Sequence, residues 1–369
     1  MKPLTPALST LLIVLSALSA HAQIGRRGLE DINRHRKPTR TVPILSSLDD
    51  STTLASMEAT SLPGPWDFLD EYETGDGSTV RSDSITDRSA SMNLELPEPE
   101  TIRERIALLP QETLVPYDKK LDAYIEEYII RHQKQMRTIL GRYRYYAPYF
   151  EKIFHEYGIP YEVAMLAVVE SGMVQSALSP VGAAGLWQLM PETAQTNRLR
   201  MDLLIDERYD IEKSTRTAAR YLSKMYAMFK SWPLAIAAYN CGPGTIKTAM
   251  NKCQSSEFWD IYPLLPRETR GYLPAYTAVV YTNEYAQEHG IEPIIYNPHT
   301  ISYLIETNLS FKQIESIYGT DIQTIRRLNP QYLSDIVPGT ASSPKKLILP
   351  RNGKNKQRSP VRRNKGKAG

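Results

Sequence analysis

The chain has 369 residues, 41% hydrophobic and 23% charged, which is enough for two domains with length left over for segments outside them. Its formal charge is +3, but residues 351–369 hold eight Lys or Arg and no acid, so the rest of the chain carries −5. A uniformly basic nucleic-acid binder is therefore a poor fit, and the tail reads as a solvated appendage that could touch anionic polymers or membrane headgroups.

The first 22 residues, MKPLTPALSTLLIVLSALSAHA, combine one Lys, an apolar run and the small-x-small ending Ala20-His21-Ala22. This is the pattern of a secretory signal peptide cut after Ala22, and the run is short for a membrane span of about 20 residues. No cysteine lies near the cut, so a lipid anchor is not expected there, and export to a periplasm is. Residues 23–100 are rich in Ser, Thr, Asp, Glu, Pro and Gly without a steady apolar period, as in an extended linker.

From Leu121 the pattern becomes helical. Apolar residues at Leu121, Tyr124, Ile125, Tyr128 and Ile129, then Met136, Ile139, Leu140 and Tyr143, follow the helix period. Pro160 opens a further helix over Tyr161–Val169, and others are expected near 191–197, 211–230, 232–239, 243–250 and 272–289. Strand signals are nearly absent over 120–290, so residues 101–292 read as one helical domain. Beyond Pro298 the order strand, helix, Gly turn, helix, Pro loop, strand predicts a small β-α-α-β module over 298–350, followed by the basic tail 351–369. Cys241 and Cys253 are the only cysteines; a disulfide between them is geometrically allowed, and Cys241 equally suits a small buried position. Two cysteines and six scattered histidines show no metal-ligand spacing, and no motif points to a cofactor.

The informative stretch is VAMLAVVESGMVQSALSPVGAAGLWQLMPET, residues 163–193. An apolar helix ends in one acid, Glu170, and no charged residue follows until Glu192. A carboxylate at a helix C-terminus is disfavoured by the helix dipole, and partial burial raises its pKa further. A glutamic acid so tuned can protonate a leaving group near neutral pH. The turn Val181-Gly182-Ala183-Ala184-Gly185 lacks bulky side chains, so backbone can approach a ligand closely. Gln188 offers a neutral hydrogen-bonding head, while Trp187 and Met190 supply apolar area for either a sugar face or the core. Taken singly, each feature also fits a surface helix end followed by a loop.

Four ordered motifs together carry more: ESG, then SPVGAAGLWQLMP, then AYNCGPG, then LPRETRGYLP. This set resembles the soluble and membrane-bound lytic transglycosylases, peptidoglycan-cleaving enzymes with a helical fold like that of goose-type lysozyme. The nearest likeness is to their membrane-bound type D group, whose members carry C-terminal LysM modules. The resemblance covers about Leu121 to Gly290. It implies a mainly α catalytic domain, with Glu170 as general acid and base. Ser179 would orient the N-acetyl group or the catalytic carboxyl, and Gln188 and Met190 would flank the scissile bond. Tyr239 and Asn240 would form the cleft wall and bond the sugar. Glu268 would be a second acidic substrate-binding residue, and Tyr272 follows it in the same motif. Cys241 stands where the family often has alanine, a change that keeps the small volume.

Glycosidases commonly use two carboxylates. None lies between Ser171 and Pro191; Asp202, Asp206, Asp210 and Glu268 remain as candidates on spacing alone. The resemblance implies a route without a nucleophilic side chain, in which the substrate's N-acetyl group stabilises the cationic centre and the C6 hydroxyl attacks C1. The product is a 1,6-anhydromuramoyl end, and the bond cut is the β-1,4 link from N-acetylmuramic acid to N-acetylglucosamine. The C-terminal module resembles LysM, a binder of N-acetylglucosamine polymers, although Glu306-Thr307-Asn308-Leu309 departs from the usual Gly-Asp-Thr/Ser-Leu turn. Peptidoglycan strands are the expected partner. Two other functions remain open: a lysozyme-type hydrolase of the same glycan and a non-catalytic wall-binding protein that kept the fold.

Overall fold

A computed structural model describes residues 95–351. The signal peptide read at 1–22, the linker up to residue 94 and the basic tail beyond Arg351 lie outside the described residues. The described chain forms two units, one of residues 95–199 with 208–297, the other of residues 298–351 with Arg200–Glu207.

The first unit is helical, beginning with α1 (Pro99–Ala107), two residues ahead of the expected domain start. Pro99 at the first helical position costs no hydrogen bond, because that N–H has no intrahelical partner. The apolar series from Leu121 to Tyr143 belongs to two helices, α2 (Lys120–Glu126) and α3 (Gln133–Glu156). A π-helical turn at Glu127–Arg131 joins them, and His132 leaves helical geometry at φ −117°. The wide turn shifts the apolar stripe, so that Leu121, Ile125 and Ile129 on one side and Met136, Ile139 and Leu140 on the other are all buried.

The helix expected over Tyr161–Val169 is instead a 3₁₀ turn, Tyr161–Met165, followed by the short α4 (Leu166–Ser171). Next come α5 (Pro191–Thr196), α6 (Ile211–Phe229), α7 (Trp232–Cys241), α8 (Pro243–Cys253) and α9 (Phe258–Ile261). Asp210 caps α6 by accepting from the Lys213 amide, and Ser231 caps α7 through the Leu234 amide. The last helix of this unit, α10 (Arg267–Glu284), starts five residues before the expected 272 and stops short of 289. The early start places Glu268 and Tyr272 one turn apart on a single helix face.

Trp187 lies in the core rather than on a ligand surface. It is fully buried, its ring packs on Phe150 at 5.3 Å and Phe154 at 5.5 Å, and its Nε1 donates to Thr215 Oγ1 at 2.9 Å. Cys241 and Cys253 are both free thiols. Their sulfurs donate instead to the carbonyls of Ala237 and Asp260.

The second unit contains β1 (Thr300–Ile305), β2 (Asn308–Ser310), α11 (Phe311–Tyr318), α12 (Ile322–Leu328), β3 (Ile336–Pro338) and β4 (Lys345–Pro350). β1 pairs antiparallel with β4, Thr300 opposite Pro350, and the short β2 pairs with β3, Leu309 opposite Val337. A capping box of Ser310 and Gln313 starts α11, and Asp321 caps α12. Its core is Phe311, Ile314, Ile325, Val337, Leu347 and Leu349, completed by Ile205. Residues 200–207, grouped with the helical domain by their place in the sequence, thus belong to this unit. Asp206 N–H donates to Gln331 O at 2.9 Å, Leu333 N–H to Leu204 O at 3.0 Å, and Ser334 Oγ to Leu203 O at 2.5 Å. The protein is mainly α-helical, with a small αβ unit at its C-terminal end. Among the described residues no helix is long and apolar enough to cross a membrane.

Candidate active site

Glu170 is the penultimate residue of α4. The helix ends because Gly172 takes a left-handed conformation (φ +57°), the usual terminator where a side chain would be strained. Ser171 is fully buried and its hydroxyl hydrogen-bonds both Ala167 O and Leu186 O at 3.0 Å. The residue beside the acid is therefore fastened to the Gly/Ala-rich loop.

That loop is ordered by backbone pairing. Gly185 N–H donates to Ala177 O at 2.8 Å, and Ala184 and Leu189 exchange bonds of 3.0 and 3.2 Å. Ser179 closes a tight turn: its N–H donates to Ala183 O at 2.8 Å, and its Oγ accepts from Ala183 N–H at 2.9 Å. The Ser179 hydroxyl is thus engaged within its own turn, and the structure does not bring it into a bond with Glu170. Gln188 is half-buried with φ +42°, and its amide nitrogen donates to Gly185 O at 2.9 Å. Met190 follows as an exposed apolar residue.

Helices α7 and α10 supply the other wall. Tyr272 Oη donates to Glu170 Oε1 at 2.5 Å. Tyr239 Oη donates to Trp187 O at 2.8 Å, linking α7 to the peptide bond before Gln188. Asn240 Oδ1 accepts from Thr269 Oγ1 at 2.7 Å, which ties α7 to the first turn of α10 beside Glu268. Glu268 itself is exposed.

The electrostatics converge on Glu170. Removal of its carboxyl from water pushes the pKa from 4.5 up to about 8; the Tyr272 hydrogen bond works against that rise, and the negative charge of Glu268 adds to it. Glu170 is partly accessible as a whole residue. Tyr239 and Tyr272 have hydroxyls driven well above their ordinary range, first by burial and then by the nearby Glu170 charge. Glu170, Tyr239, Glu268 and Tyr272 thus form one coupled group, with Asn240 and Gln188 attached through hydrogen bonds. The arrangement can deliver a proton at neutral pH.

The other carboxylates considered on spacing are structurally occupied. Asp210 caps α6, and Asp202 accepts from the Leu204 and Ile205 amides and from Arg200. Asp206 is buried in the second unit. Among the described residues, no group of three or more His, Cys, Asp or Glu could hold a metal ion. Three residues escaped the sequence reading: Ser171, Thr269 and Arg208. Arg208 is nearly fully buried and donates to Gly182 O at 2.6 Å and Leu189 O at 3.1 Å. Its signal was hidden because Asp-Glu-Arg reads as a solvated charge run.

Comparison with known proteins adds two domain matches. Residues 148–262 match the family described as the transglycosylase SLT domain, and residues 299–359 match the LysM-like domain of the lytic transglycosylase MltD. The chain is 25% identical over 236 residues to the membrane-bound lytic murein transglycosylase D of Escherichia coli (strain K12), covering 62% of this chain and 49% of that protein. It is 33% identical over 126 residues to the soluble lytic murein transglycosylase of the same organism, covering 31% of this chain and 19% of that one. It is also 28% identical over 224 residues to the membrane-bound lytic murein transglycosylase F of Enterobacter sp. (strain 638), covering 53% and 40% respectively. The chain spans about half the length of the type D relative.

Proposed function

From a chain whose residues 148–262 are a transglycosylase SLT domain and whose C-terminal unit is an MltD-type LysM-like domain, we propose an exported peptidoglycan lytic transglycosylase acting in the periplasm. The observation that carries this reading is the Glu170 carboxyl, hydrogen-bonded by Tyr272 and with its pKa pushed up to about 8 by burial, with no second acid between Ser171 and Pro191.

Glu170 is the general acid. Its Oε1 is engaged by Tyr272, so Oε2 is the oxygen that gives its proton to the glycosidic oxygen between N-acetylmuramic acid and N-acetylglucosamine. The substrate's N-acetyl group stabilises the cationic centre left at C1. Glu170, now a carboxylate in a site that disfavours its charge, takes the proton from the C6 hydroxyl as that oxygen closes on C1. One C–O bond breaks, one forms, and the proton count returns to its start with no water consumed. An attacking hydroxyl held on the same sugar acts at high effective concentration, so the enzyme needs no nucleophilic side chain.

The remaining residues bind and orient. Asn240 and the Gln188 amide oxygen face the sugar, Met190 offers an apolar edge beside the scissile bond, and Tyr239 fixes the wall behind it. Ser179 shapes the turn that lets backbone approach the glycan. Glu268 binds substrate and keeps the Glu170 proton in place by its charge. The LysM-like unit binds glycan strands and holds the enzyme on the wall.

The assay is clearance of purified sacculi by the full chain. Glu170→Gln is expected to lower turnover by ~100- to 10,000-fold, the usual worth of a positioned general acid. Near-normal turnover in that variant would remove Glu170 from the role.

A further inference from the structure

Arg208 is not among the residues assigned above, and its surroundings are unusual. A charged side chain is rarely buried unless it is fully partnered, yet Arg208 is only 5% exposed. Nη1 makes two bonds, to Gly182 O at 2.6 Å and to Leu189 O at 3.1 Å. Those carbonyls bracket the loop segment that carries Gln188. One of them belongs to the residue directly after Gln188, whose φ of +42° is uncommon for a residue with a side chain. Such a backbone persists only where its neighbours hold it.

The main chain at the same place adds to the grip. A Cβ at Gly185 would lie 2.2 Å from Arg208 O, so the loop and the 3₁₀ turn Glu207–Tyr209 meet at a contact only glycine allows. Gln175 Nε2 donates to Tyr209 O at 2.8 Å, and Thr215, one turn into α6, accepts from Trp187. The start of α6 and the residues before it therefore hold the loop at positions 175, 182, 185, 187 and 189. The Glu170 pKa is raised by burial first and by the Glu268 charge second, and the contacts of Arg208 are with backbone carbonyls of the loop, so the role argued for it is geometric.

We propose that Arg208 is a positioning residue for the proposed reaction: its guanidinium clamps the carbonyls of Gly182 and Leu189 and so sets where Gln188 meets the glycan. The proposal rests on the lytic reading above. Both bonds leave one nitrogen, so an ammonium can replace them in part, whereas an apolar chain of similar length cannot.

The test uses the full chain with Arg208→Met, Arg208→Lys and Glu170→Gln on purified glycan strands. Arg208→Met is expected to lower kcat/KM by about 100-fold, the cost of an ångström-scale misplacement. Arg208→Lys should recover at least about tenfold of that loss, and the midpoint of the alkaline limb of the pH profile should stay in place. Amide exchange over 182–189 should quicken in Arg208→Met and slow again in Arg208→Lys, while exchange in α3 and α7 is unchanged. The proposal is overturned if Arg208→Met stays within twofold of wild type, if its loss equals its loss of folded protein, or if Arg208→Lys gives no recovery. A wild-type chain without lytic activity sinks the lytic reading instead; the exchange pattern then decides whether Arg208 clamps the loop.

Discussion

Replacing Glu170 by Gln should stabilise this protein, and the gain should depend on pH in a way that reports the carboxyl directly. In the unfolded chain the group titrates near 4.5, whereas the folded site holds it up to about 8. Between those values the unfolded state has lost the proton and the folded state keeps it, so stability falls as pH rises, by about 1.4 kcal/mol per pH unit. The cost is absent below pH 4.5, reaches about 3 kcal/mol at pH 7 and levels off once the folded carboxyl ionises above pH 8. Gln matches the shape of the neutral acid, and its amide oxygen still accepts from Tyr272, so the variant escapes the cost without losing the bond. The assay is urea unfolding of wild type and Glu170→Gln from pH 5 to pH 8.5, taken as a difference so that all other groups cancel. A difference that widens by about 4 kcal/mol between pH 5 and pH 8.5, with about 3 kcal/mol of total cost reached at pH 7, supports the account. Parallel curves across this range would refute the claim that the site destabilises the charged carboxyl.

Activity should fall as pH rises through about 8, because the acid step needs the protonated carboxyl. Tyr272→Phe removes the bond that favours the ionised form, so the alkaline limb should move up in pH while kcat falls by up to ~100-fold through lost alignment, both read from one pH–rate profile. Gly185→Ala should collapse the loop, since the position has φ +80° and its new methyl would meet Arg208 O at 2.2 Å; lost turnover in a chain that still unfolds cooperatively would show it. Trp187→Ala should destabilise by about 3–5 kcal/mol in denaturant unfolding, as expected for emptying a fully buried indole site.

Much of this site was readable because its signals are local. The apolar run of 163–169, the acid that ends it and the left-handed Gly172 are neighbours in sequence, and helix caps at Asp210 and Ser231 likewise lie next to what they cap. The 3₁₀ turn over Tyr161–Met165 and the π-helical turn at Glu127–Arg131 were not readable, because each changes helix geometry without interrupting the apolar period. Trp187 favoured the core over a sugar platform on sequence, and its partners Phe150, Phe154 and Thr215, 28 to 37 positions away, decide it. Residues 200–207 were assigned by continuity, yet Ile205 packs with Phe311 and Tyr332 more than a hundred residues later. Arg208 was masked for a related reason: polar context predicts exposure, and only the folded loop supplies the carbonyls that make its burial tolerable.

The central claim is intramolecular cleavage by a single acid, and the product mass tests it. Sacculi digested with the full chain should release muropeptides ending in 1,6-anhydromuramic acid, lighter by one water than the hydrolysed form, and Glu170→Gln should release almost none. Reducing-end muropeptides in place of anhydro ends would contradict the account and identify a hydrolase.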